Sequence, residues 1–370
     1  MNIVLLIVNW LLSIIVALIA LGMGMLAGPL RGLLLFAIAL VINPASRTLA
    51  QRLSGISLSL PLRLVVVAVL IGGFILLNKL DTHNSVYKAQ KYEDAHLKIY
   101  DEKLAQWPLP YEERYVDTEY GKIHVVISGP QDAPPMLLLN ASGLSAWSWL
   151  YNIEPLNKIY RTYAVDTIGE AGKSRLSDVN HIPADGQAWA KLMAVLTDKL
   201  GFEKSTVVGA SYGGYIATNY ALYHPERVEK LALLGPMGMT PATGETAMRI
   251  MLAQFYPFGP VKASTARWAL GEDPYVLQES AEWFENVMGG MVPKVSLPLT
   301  FTPEKLQSMQ VPVLLVIGTR DRLTSDPEKV RELANNVPDI RIEVLDSGHL
   351  IGIEMADIVN SMVPEFFTQP

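Results

Sequence analysis

A serine between two glycines, in Gly209-Ala210-Ser211-Tyr212-Gly213, is the first group in this sequence that could do chemistry. It follows the apolar run 206–208, which predicts a strand, and precedes a helical stretch from Tyr215 to Tyr223. Small flanking residues allow the sharp strand-to-helix turn that lifts a serine hydroxyl clear of a sheet. A hydroxyl held in this way can attack a carbonyl carbon. The motif therefore predicts a covalent nucleophile at Ser211.

A serine hydroxyl becomes a strong nucleophile when a histidine accepts its proton and a carboxylate orients that histidine. Among the six histidines of the sequence, His349 is the candidate base. It follows the strand-like run 340–345 closely, so a loop at the carboxyl end of that strand would carry it to the edge of the sheet. His224, by contrast, ends the helix after the serine and precedes Pro225, which is typical of a helix end.

The candidate acid is Asp321, which follows the apolar strand-like run 313–317. Asp326 and Asp346 are competitors, but Asp326 precedes Pro327 and has the position of a helix cap. Serine, acid and histidine occur in that order along the chain, which is one of the known chain orders of catalytic triads. The three side chains together predict acyl transfer through a covalent intermediate.

Attack on a carbonyl creates an oxyanion, and each backbone N–H group aimed at it contributes about 3 kcal/mol of stabilisation. The N–H of Tyr212, directly after the serine, is one expected donor. The other is expected from the loop 140–144, which follows the strand-like run 136–139. The register of this loop indicates the N–H of Ser142 as the second donor.

From about residue 112 to 367 the sequence resembles the α/β-hydrolase superfamily, in the branch of single-domain bacterial esterases. The resemblance covers roughly two thirds of the chain, with two departures. Asn140-Ala141 stands where relatives commonly have His-Gly, and the segment 169–174 is one residue longer than the usual Gly-x-Gly-x-Ser. The matching segments are Leu139–Gly143, Asp166–Gly169, Gly209–Gly213, Pro225–Val228, Gly318–Asp321 and Ser347–His349.

The resemblance implies a role for each candidate residue. Ser211 would be the nucleophile, His349 the base and Asp321 the orienting acid. The N–H groups of Ser142 and Tyr212 would form the oxyanion hole. Dehalogenase and epoxide-hydrolase chemistry is disfavoured, because those relatives have an aspartate at the position of the serine.

The elements that must position these residues alternate along the chain, so we expect an α/β-hydrolase fold over residues 111–370. Strands separated by helices indicate a mostly parallel sheet with helices on both faces and ligands at the carboxyl ends of the strands. Eight strands are predicted near Tyr115, His124, Leu138, Ala164, Val207, Leu233, Leu315 and Val344. Helices are predicted at Gln187–Leu200, Tyr215–Tyr223, Pro327–Asn335 and Ile351–Phe367.

More than seventy residues separate the strand ending at Leu234 from the strand beginning at Val313. A plain loop of that length is uncommon in a compact domain, so we expect a helical cap at about 237–308. The segment is rich in methionine and aromatic residues, which can form an adaptable apolar pocket. The expected substrate is a small, uncharged, hydrophobic ester.

The N-terminal residues 1–80 predict a transmembrane region. No acidic residue occurs from 2 to 78, and Ile3–Ala27 is an uncharged apolar run. At about 1.5 Å per residue such a run can span a bilayer core of about 30 Å. Leu62–Leu80 predicts another span. The shorter run Gly32–Ile42 leaves two alternatives open, which are three spans or two spans with an interfacial helix. The lipid bilayer is therefore an expected partner.

The arrangement around the membrane is predicted from charge. The loop 43–61 carries Arg47 and Arg52, which favours a cytoplasmic position for it. Three spans in a bacterial cell membrane would then place the hydrolase domain outside the cytoplasm, although basic residues at 79–91 act in the opposite direction. Residues 81–110 are expected to form a juxtamembrane helical stalk.

Composition excludes several other functions. The formal charge is +5 for residues 1–80 and −11 for the remainder, which argues against a nucleic-acid partner. The absence of cysteine excludes disulfides and thiolate metal sites, and we expect neither a metal nor a cofactor. Two alternatives stay open: another serine-triad reaction such as carbon–carbon bond hydrolysis, and ligand binding without turnover. The sequence leaves the oligomeric state undetermined.

Overall fold

The protein is described from a computed structural model, and its described residues belong to two compact units. One unit comprises residues 1–83 with 254–257, and the other residues 84–253 with 258–370. The described residues are 10–17, 20, 29–45, 48, 51–52, 59–80, 85–241, 244–246, 249, 264–265, 267–269, 271, 273–278, 287, 290–323 and 326–369.

A nine-stranded mixed sheet is the centre of the larger unit. Its main path has the order β1-β2-β4-β3-β6-β7-β8-β9, and β5 pairs with β2. The strands β1, β2 and β4 pair antiparallel, whereas all pairs from β4 to β9 are parallel. The strands are β1 (Tyr111–Thr118), β2 (Gly121–Ser128), β3 (Pro135–Leu139), β4 (Arg161–Val165), β5 (Arg175–Leu176), β6 (Ser205–Ala210), β7 (Val228–Leu234), β8 (Val313–Gly318) and β9 (Ile340–Leu345).

Helices flank this sheet and also occur in the N-terminal unit. The first two, α1 and α2, belong to the N-terminal unit, and a six-residue 3₁₀ helix at Ala146–Tyr151 follows β3. Among the described residues, the α-helices with defined bounds are α1 (Pro29–Ile42), α2 (Leu60–Leu80), α3 (Gln90–Leu104), α4 (Ile153–Leu156), α5 (Gly186–Leu200), α6 (Tyr212–Tyr223), α7 (Pro303–Gln307), α8 (Pro327–Ala334), α9 (Ile351–Glu354) and α10 (Ala356–Thr368).

The central strands are apolar runs because helices cover both faces of the sheet. Every residue of β8 is buried, as are all but the last residue of β6. Parallel strands covered on both faces have continuous hydrophobic sequences rather than alternating ones. The eight predicted strands are therefore present, together with the two-residue β5, which is too short to give a sequence pattern.

Helix α3 packs onto the sheet unit. Its buried residues are His96, Ile99, Tyr100 and Leu104, and they belong to the core of the larger unit. Their spacing gives the helix one apolar stripe, which it buries against the rest of the unit. The segment expected to be a juxtamembrane stalk is thus a packed part of this unit.

A buried polar network joins α3 to the sheet. His124 on β2 lies between two carboxylates: its Nδ1 is 3.0 Å from Asp166 Oδ2 and its Nε2 is 2.9 Å from Glu113 Oε2. Lys173 Nζ donates to Glu113 Oε2 at 2.6 Å, and Tyr100 of α3 donates to Asp166 Oδ1 at 3.3 Å. Burial alone would lower the pKa of His124, but its hydrogen bonds to Asp166 and Glu113 raise it overall. The imidazole is thereby favoured in its charged form.

We expect Glu113→Gln to destabilise the fold in a pH-dependent way. The hydrogen bond from His124 lowers the pKa of Glu113 from 4.5 to about 2. A carboxyl with a lowered folded-state pKa stabilises the fold above its ordinary pKa, and this contribution is lost as the pH falls through the folded-state value. Since the side chain is partly exposed, the expected loss at neutral pH is about 1 kcal/mol.

Urea unfolding of wild type and variant at several pH values measures this effect. The difference in unfolding free energy should be largest near neutral pH and should shrink as the pH falls from 4.5 towards 2. Asp117→Asn is the control, because its exposed carboxylate makes only a 4.0 Å ion pair with Lys122. A Glu113→Gln difference that does not change with pH would contradict the assigned ion pair.

The structure gives no support to the membrane spans predicted for residues 1–80. Within the described part of the chain, no helical stretch combines the length and the apolar character that crossing a bilayer requires. The run 3–27 lies largely outside the described residues, as do parts of the cap predicted at 237–308, including 250–263 and 279–286.

Candidate active site

Ser211 occupies a strained turn between β6 and α6. Its φ of 51° and ψ of −114° make it the one residue other than glycine with positive φ in the described part of the chain. Its N–H donates to Leu234 O at 3.0 Å, and its carbonyl accepts from the N–H of Met237 at 3.0 Å. Such strain persists only where the surroundings hold the backbone in place. The predicted turn is therefore present, and hydrogen bonds to Leu234 at the end of β7 and to Met237 shortly after it hold its backbone in place.

The flanking glycines are required by close packing. A Cβ on Gly209 would lie 2.6 Å from Gly213 O, and a Cβ on Gly213 would lie 2.2 Å from Leu139 O. Both distances are far below van der Waals contact, so any side chain here would push α6 away from the sheet. The glycines let the helix begin directly against the carboxyl ends of β3 and β6.

The three predicted triad residues meet at this turn. His349 Nε2 lies 2.7 Å from Ser211 Oγ, and His349 Nδ1 lies 2.7 Å from Asp321 Oδ2. Ser211 and Asp321 are each 4% exposed and His349 is 5% exposed. Residues 138 positions apart along the chain thus form one hydrogen-bonded series in a nearly dry environment. The arrangement can transfer the serine proton to the imidazole while the carboxylate orients the ring.

Both competing carboxylates have other partners. Asp326 caps α8, where its side chain accepts from the N–H of Glu328 at 3.1 Å. Asp346 is exposed and accepts from Arg320 Nε at 2.9 Å, a hydrogen bond that lowers the pKa of Asp346. Asp321 Oδ1 accepts from the N–H of Leu323 at 2.8 Å, which directs Oδ2 towards the imidazole.

A glutamate whose side chain is only 2% exposed, Glu354, joins the loops that carry Asp321 and His349. Glu354 Oε2 accepts from the N–H of Gly348 at 2.7 Å, and its Oε1 accepts from Arg320 Nη2. The N–H of Arg320 also donates to Ser347 O at 2.9 Å. Arg320 directly precedes Asp321, and Gly348 directly precedes His349. By contacting both residues, Glu354 limits the relative movement of the two loops.

The predicted oxyanion donors lie on neighbouring segments. Tyr212 is the first residue of α6, and the first N–H groups of a helix have no acceptor within the helix. The loop 140–144 lies directly beside this helix start, because the N–H of Gly213 donates to Asn140 O at 3.1 Å. Ser142 lies in this loop, and its hydroxyl donates to Glu170 Oε1 at 2.5 Å.

A small apolar cavity adjoins the imidazole. It opens between the loop after β3, the ends of β6 and β7 and the start of α9, so it borders the turn that carries Ser211. An acyl or alcohol group of a substrate would find apolar contacts there. Its lining beside His349 includes Ala141, Leu144, Trp149, Ala210, Leu234 and Ile351. Within the described residues, no group of histidine and carboxylate side chains could hold a metal ion.

Comparison with known proteins assigns the family. Residues 136–361 match the model of the alpha/beta hydrolase family. The chain belongs to this family. This alpha/beta hydrolase is 32% identical to the Bacillus subtilis carboxylesterase nap, over 74% of the chain and 92% of that protein. It is also 32% identical to the carboxylesterase YbfK of the same organism, over 73% of the chain and 92% of that protein.

Solved structures agree with this assignment. The crystal structure of naproxen esterase from Bacillus subtilis matches with a TM-score of 0.69 and 30% identity, over 75% of this hydrolase and 98% of that chain. That of the carboxylesterase CesB (YbfK) matches with a TM-score of 0.67 and 30% identity, over 74% and 99% of the two chains. The protein is therefore a carboxylesterase-like alpha/beta hydrolase and an esterase-type serine hydrolase.

Sequence reasoning missed two buried acids of this hydrolase. Glu354 follows the histidine by five residues without a motif, so nothing in the sequence indicates its contact with Arg320. Glu170 had a signal, because it lies in the segment 169–174, which the resemblance indicated to be one residue longer than the usual Gly-x-Gly-x-Ser. An inserted acidic residue next to a catalytic loop is a reason to test for a contact with that loop.

Proposed function

We propose that this hydrolase is a carboxylesterase that cleaves hydrophobic esters through Ser211, His349 and Asp321. The single observation that carries the proposal is the pair of 2.7 Å contacts that joins the serine to the imidazole and the imidazole to the carboxylate. The similarity to two carboxylesterases supports the bond type.

The proposed reaction has two halves. Ser211 Oγ attacks the ester carbonyl while His349 Nε2 accepts the hydroxyl proton, and the N–H groups of Tyr212 and Ser142 stabilise the resulting oxyanion. The imidazolium then donates its proton to the departing alcohol, which leaves an acyl-enzyme on the serine. Water activated by the same imidazole releases the acid and restores the enzyme. Asp321 keeps Nδ1 protonated throughout, so Nε2 is free to accept.

The proposed substrate class follows from the lining of the site. The cavity beside His349 is bordered mainly by alanine, leucine, isoleucine and tryptophan side chains, and its polar members Ser148 and Asn152 are uncharged. This lining favours an uncharged acyl or alcohol group. Carbon–carbon bond hydrolysis is the alternative on the same scaffold. The meta-cleavage product hydrolases that match structurally are 22% identical, and this similarity shows a shared fold and no shared reaction.

A panel of p-nitrophenyl esters with increasing acyl length tests the activity, and a fluorophosphonate probe tests the nucleophile. We expect ester hydrolysis and stoichiometric labelling of the purified wild type. A protein that neither labels nor hydrolyses any ester of the panel would refute the proposal. Hydrolysis of a carbon–carbon bond in a vinylogous diketone, without ester cleavage, would favour the alternative.

We expect Asp321→Asn to lower kcat by about 10⁴-fold, the size of effect seen when a triad acid becomes an amide. The amide can donate to Nδ1, which stabilises the tautomer with the proton on Nε2 and blocks proton acceptance from Ser211. Steady-state kinetics measure the loss. Asp326→Asn is the matched control, since Asp326 only caps α8 and its amide can also cap a helix. Equal losses in the two variants would contradict the proposed role.

Attachment to a bacterial cell membrane, with the hydrolase domain outside the cytoplasm, is a separate proposal. Its support is the sequence of residues 1–80, which lacks acidic residues, and the described helices do not add to it. Cell fractionation together with a membrane-impermeant fluorophosphonate tests it. Recovery of the full-length chain in the soluble fraction would reject attachment, and labelling only after permeabilisation would reject the external placement.

A further inference from the structure

Glu170 is a buried carboxylic acid directed at the loop that carries the second oxyanion donor. It is 1% exposed and lies in the segment 169–174, which follows β4. Ser142 Oγ donates to its Oε1 at 2.5 Å, and the N–H of Gly143 donates to its Oε2 at 3.1 Å. The two donors belong to adjacent residues, and the Gly143 N–H is part of the peptide bond that joins them. One carboxyl group therefore holds a side chain and a backbone group of the same short loop.

The backbone beneath Glu170 is fixed on both sides. Asp166, directly after β4, accepts from the N–H groups of Ala146 at 2.8 Å and Lys173 at 2.7 Å. Gly169 O accepts from the N–H of Lys294 at 2.7 Å. Because the segment cannot move freely, the carboxyl is a rigid support rather than a flexible contact.

The hydrogen-bond donors that surround this carboxyl are neutral. They are the hydroxyl of Ser142 and the backbone N–H groups of Gly143 and Ala171, and burial raises the pKa of Glu170 above its ordinary value. A buried acid without charge compensation favours its neutral form. The raised pKa of Glu170 reduces the negative charge that its carboxyl places near the developing oxyanion.

We propose that Glu170 is a positioning residue that orients the Ser142 N–H towards the oxyanion. This inference rests on the proposed esterase function, since the oxyanion hole has meaning only if Ser211 attacks a carbonyl. The carboxyl acts through the loop and does not contact substrate. Its contribution should therefore appear in the transition state, where the N–H donors are used, and not in substrate binding.

The test compares Glu170→Ala with Glu170→Gln in the full-length enzyme. Removing an oxyanion donor outright costs about 10²- to 10³-fold in kcat, so loosening one should cost about 10- to 100-fold, with KM within about threefold. Glu170→Gln should recover kcat to within about threefold of wild type. Its amide oxygen can accept from the Gly143 N–H, and its amide nitrogen can donate to the Ser142 hydroxyl.

A second readout separates positioning from general damage. The affinity for an alkyl boronic acid, which forms a tetrahedral adduct with the serine, should fall in proportion to kcat in Glu170→Ala.

Ser142→Ala, which keeps the backbone N–H but removes the hydroxyl contact, should also lower kcat. The double variant should lose less than the product of the two single losses, because both changes release the same loop. Glu332→Ala on the exposed face of α8 is the surface control.

Several results would overturn the inference while leaving the esterase function intact. These are an unchanged kcat in Glu170→Ala, a change in KM alone, and a loss in Glu170→Gln as large as in Glu170→Ala. If Glu170→Ala fails to fold, Glu170→Gln and Ser142→Ala still decide the question, because near-wild-type kcat in Ser142→Ala rejects it. Failure of the proposed function would be recognised separately, as a wild type that does not hydrolyse esters.

Discussion

Ser211→Ala is expected to lower kcat for ester hydrolysis by about 10⁶-fold, the size of loss that follows removal of a triad serine. The methyl group cannot form an acyl-enzyme, so the remaining rate comes from substrate binding and the oxyanion donors alone. KM should change little, because the hydroxyl contributes its energy in the transition state. Fluorophosphonate labelling should disappear together with activity.

The matched control for this variant is Ser205→Ala. Ser205 is buried at the other end of β6, and its hydroxyl has no hydrogen-bond partner in the structure. The same substitution at the start of the strand that leads to Ser211 therefore tests whether loss of a buried serine in itself disturbs the sheet. A Ser211→Ala enzyme that retains wild-type rates, or that still labels to the same extent, would refute the mechanism.

His349→Ala is expected to be nearly as damaging, with a loss of about 10⁶-fold in kcat. Ser211 would lose the group that lies 2.7 Å from its hydroxyl and accepts its proton. Asp321 would also remain buried next to an empty space, without the imidazole that it orients. Steady-state kinetics should therefore show a variant that is far less active than Asp321→Asn.

Added imidazole provides a sharper test of the same role. Alanine leaves a space at position 349 that free imidazole can occupy, so part of the lost activity should return with increasing imidazole concentration. His181→Ala, on an exposed loop, should keep wild-type kinetics and should not respond to imidazole. Full activity of His349→Ala without imidazole would show that another base accepts the proton.

The strands of the sheet could be predicted because their signal is local. Runs such as 206–208 and 313–317 are apolar, short and followed by glycine or polar residues, and all eight predicted strands are present. The order of those strands in the sheet is not local information. It depends on which apolar faces the helices cover, so it is visible only when the whole unit is assembled.

Helix boundaries were less predictable where packing overrides propensity. The sequence predicts that the helix after the serine begins at Tyr215, but α6 begins at Tyr212. Gly213 and Gly214 disfavour a helix on their own, and here close packing against β3 and Pro236 stabilises it. The helix predicted at 351–367 is divided into α9 and α10 at Met355, whose φ of −118° departs from helical geometry.

By itself, the sequence predicted the chemistry, from a serine in a glycine-flanked turn followed in order by an acid and a histidine at the ends of strands. These are properties of short segments, because turn geometry and strand ends are set by neighbouring residues. Only the tertiary structure decided which groups support that chemistry. Glu170 and Glu354 contact the loops of the predicted oxyanion donor, acid and base because strands distant in sequence lie side by side.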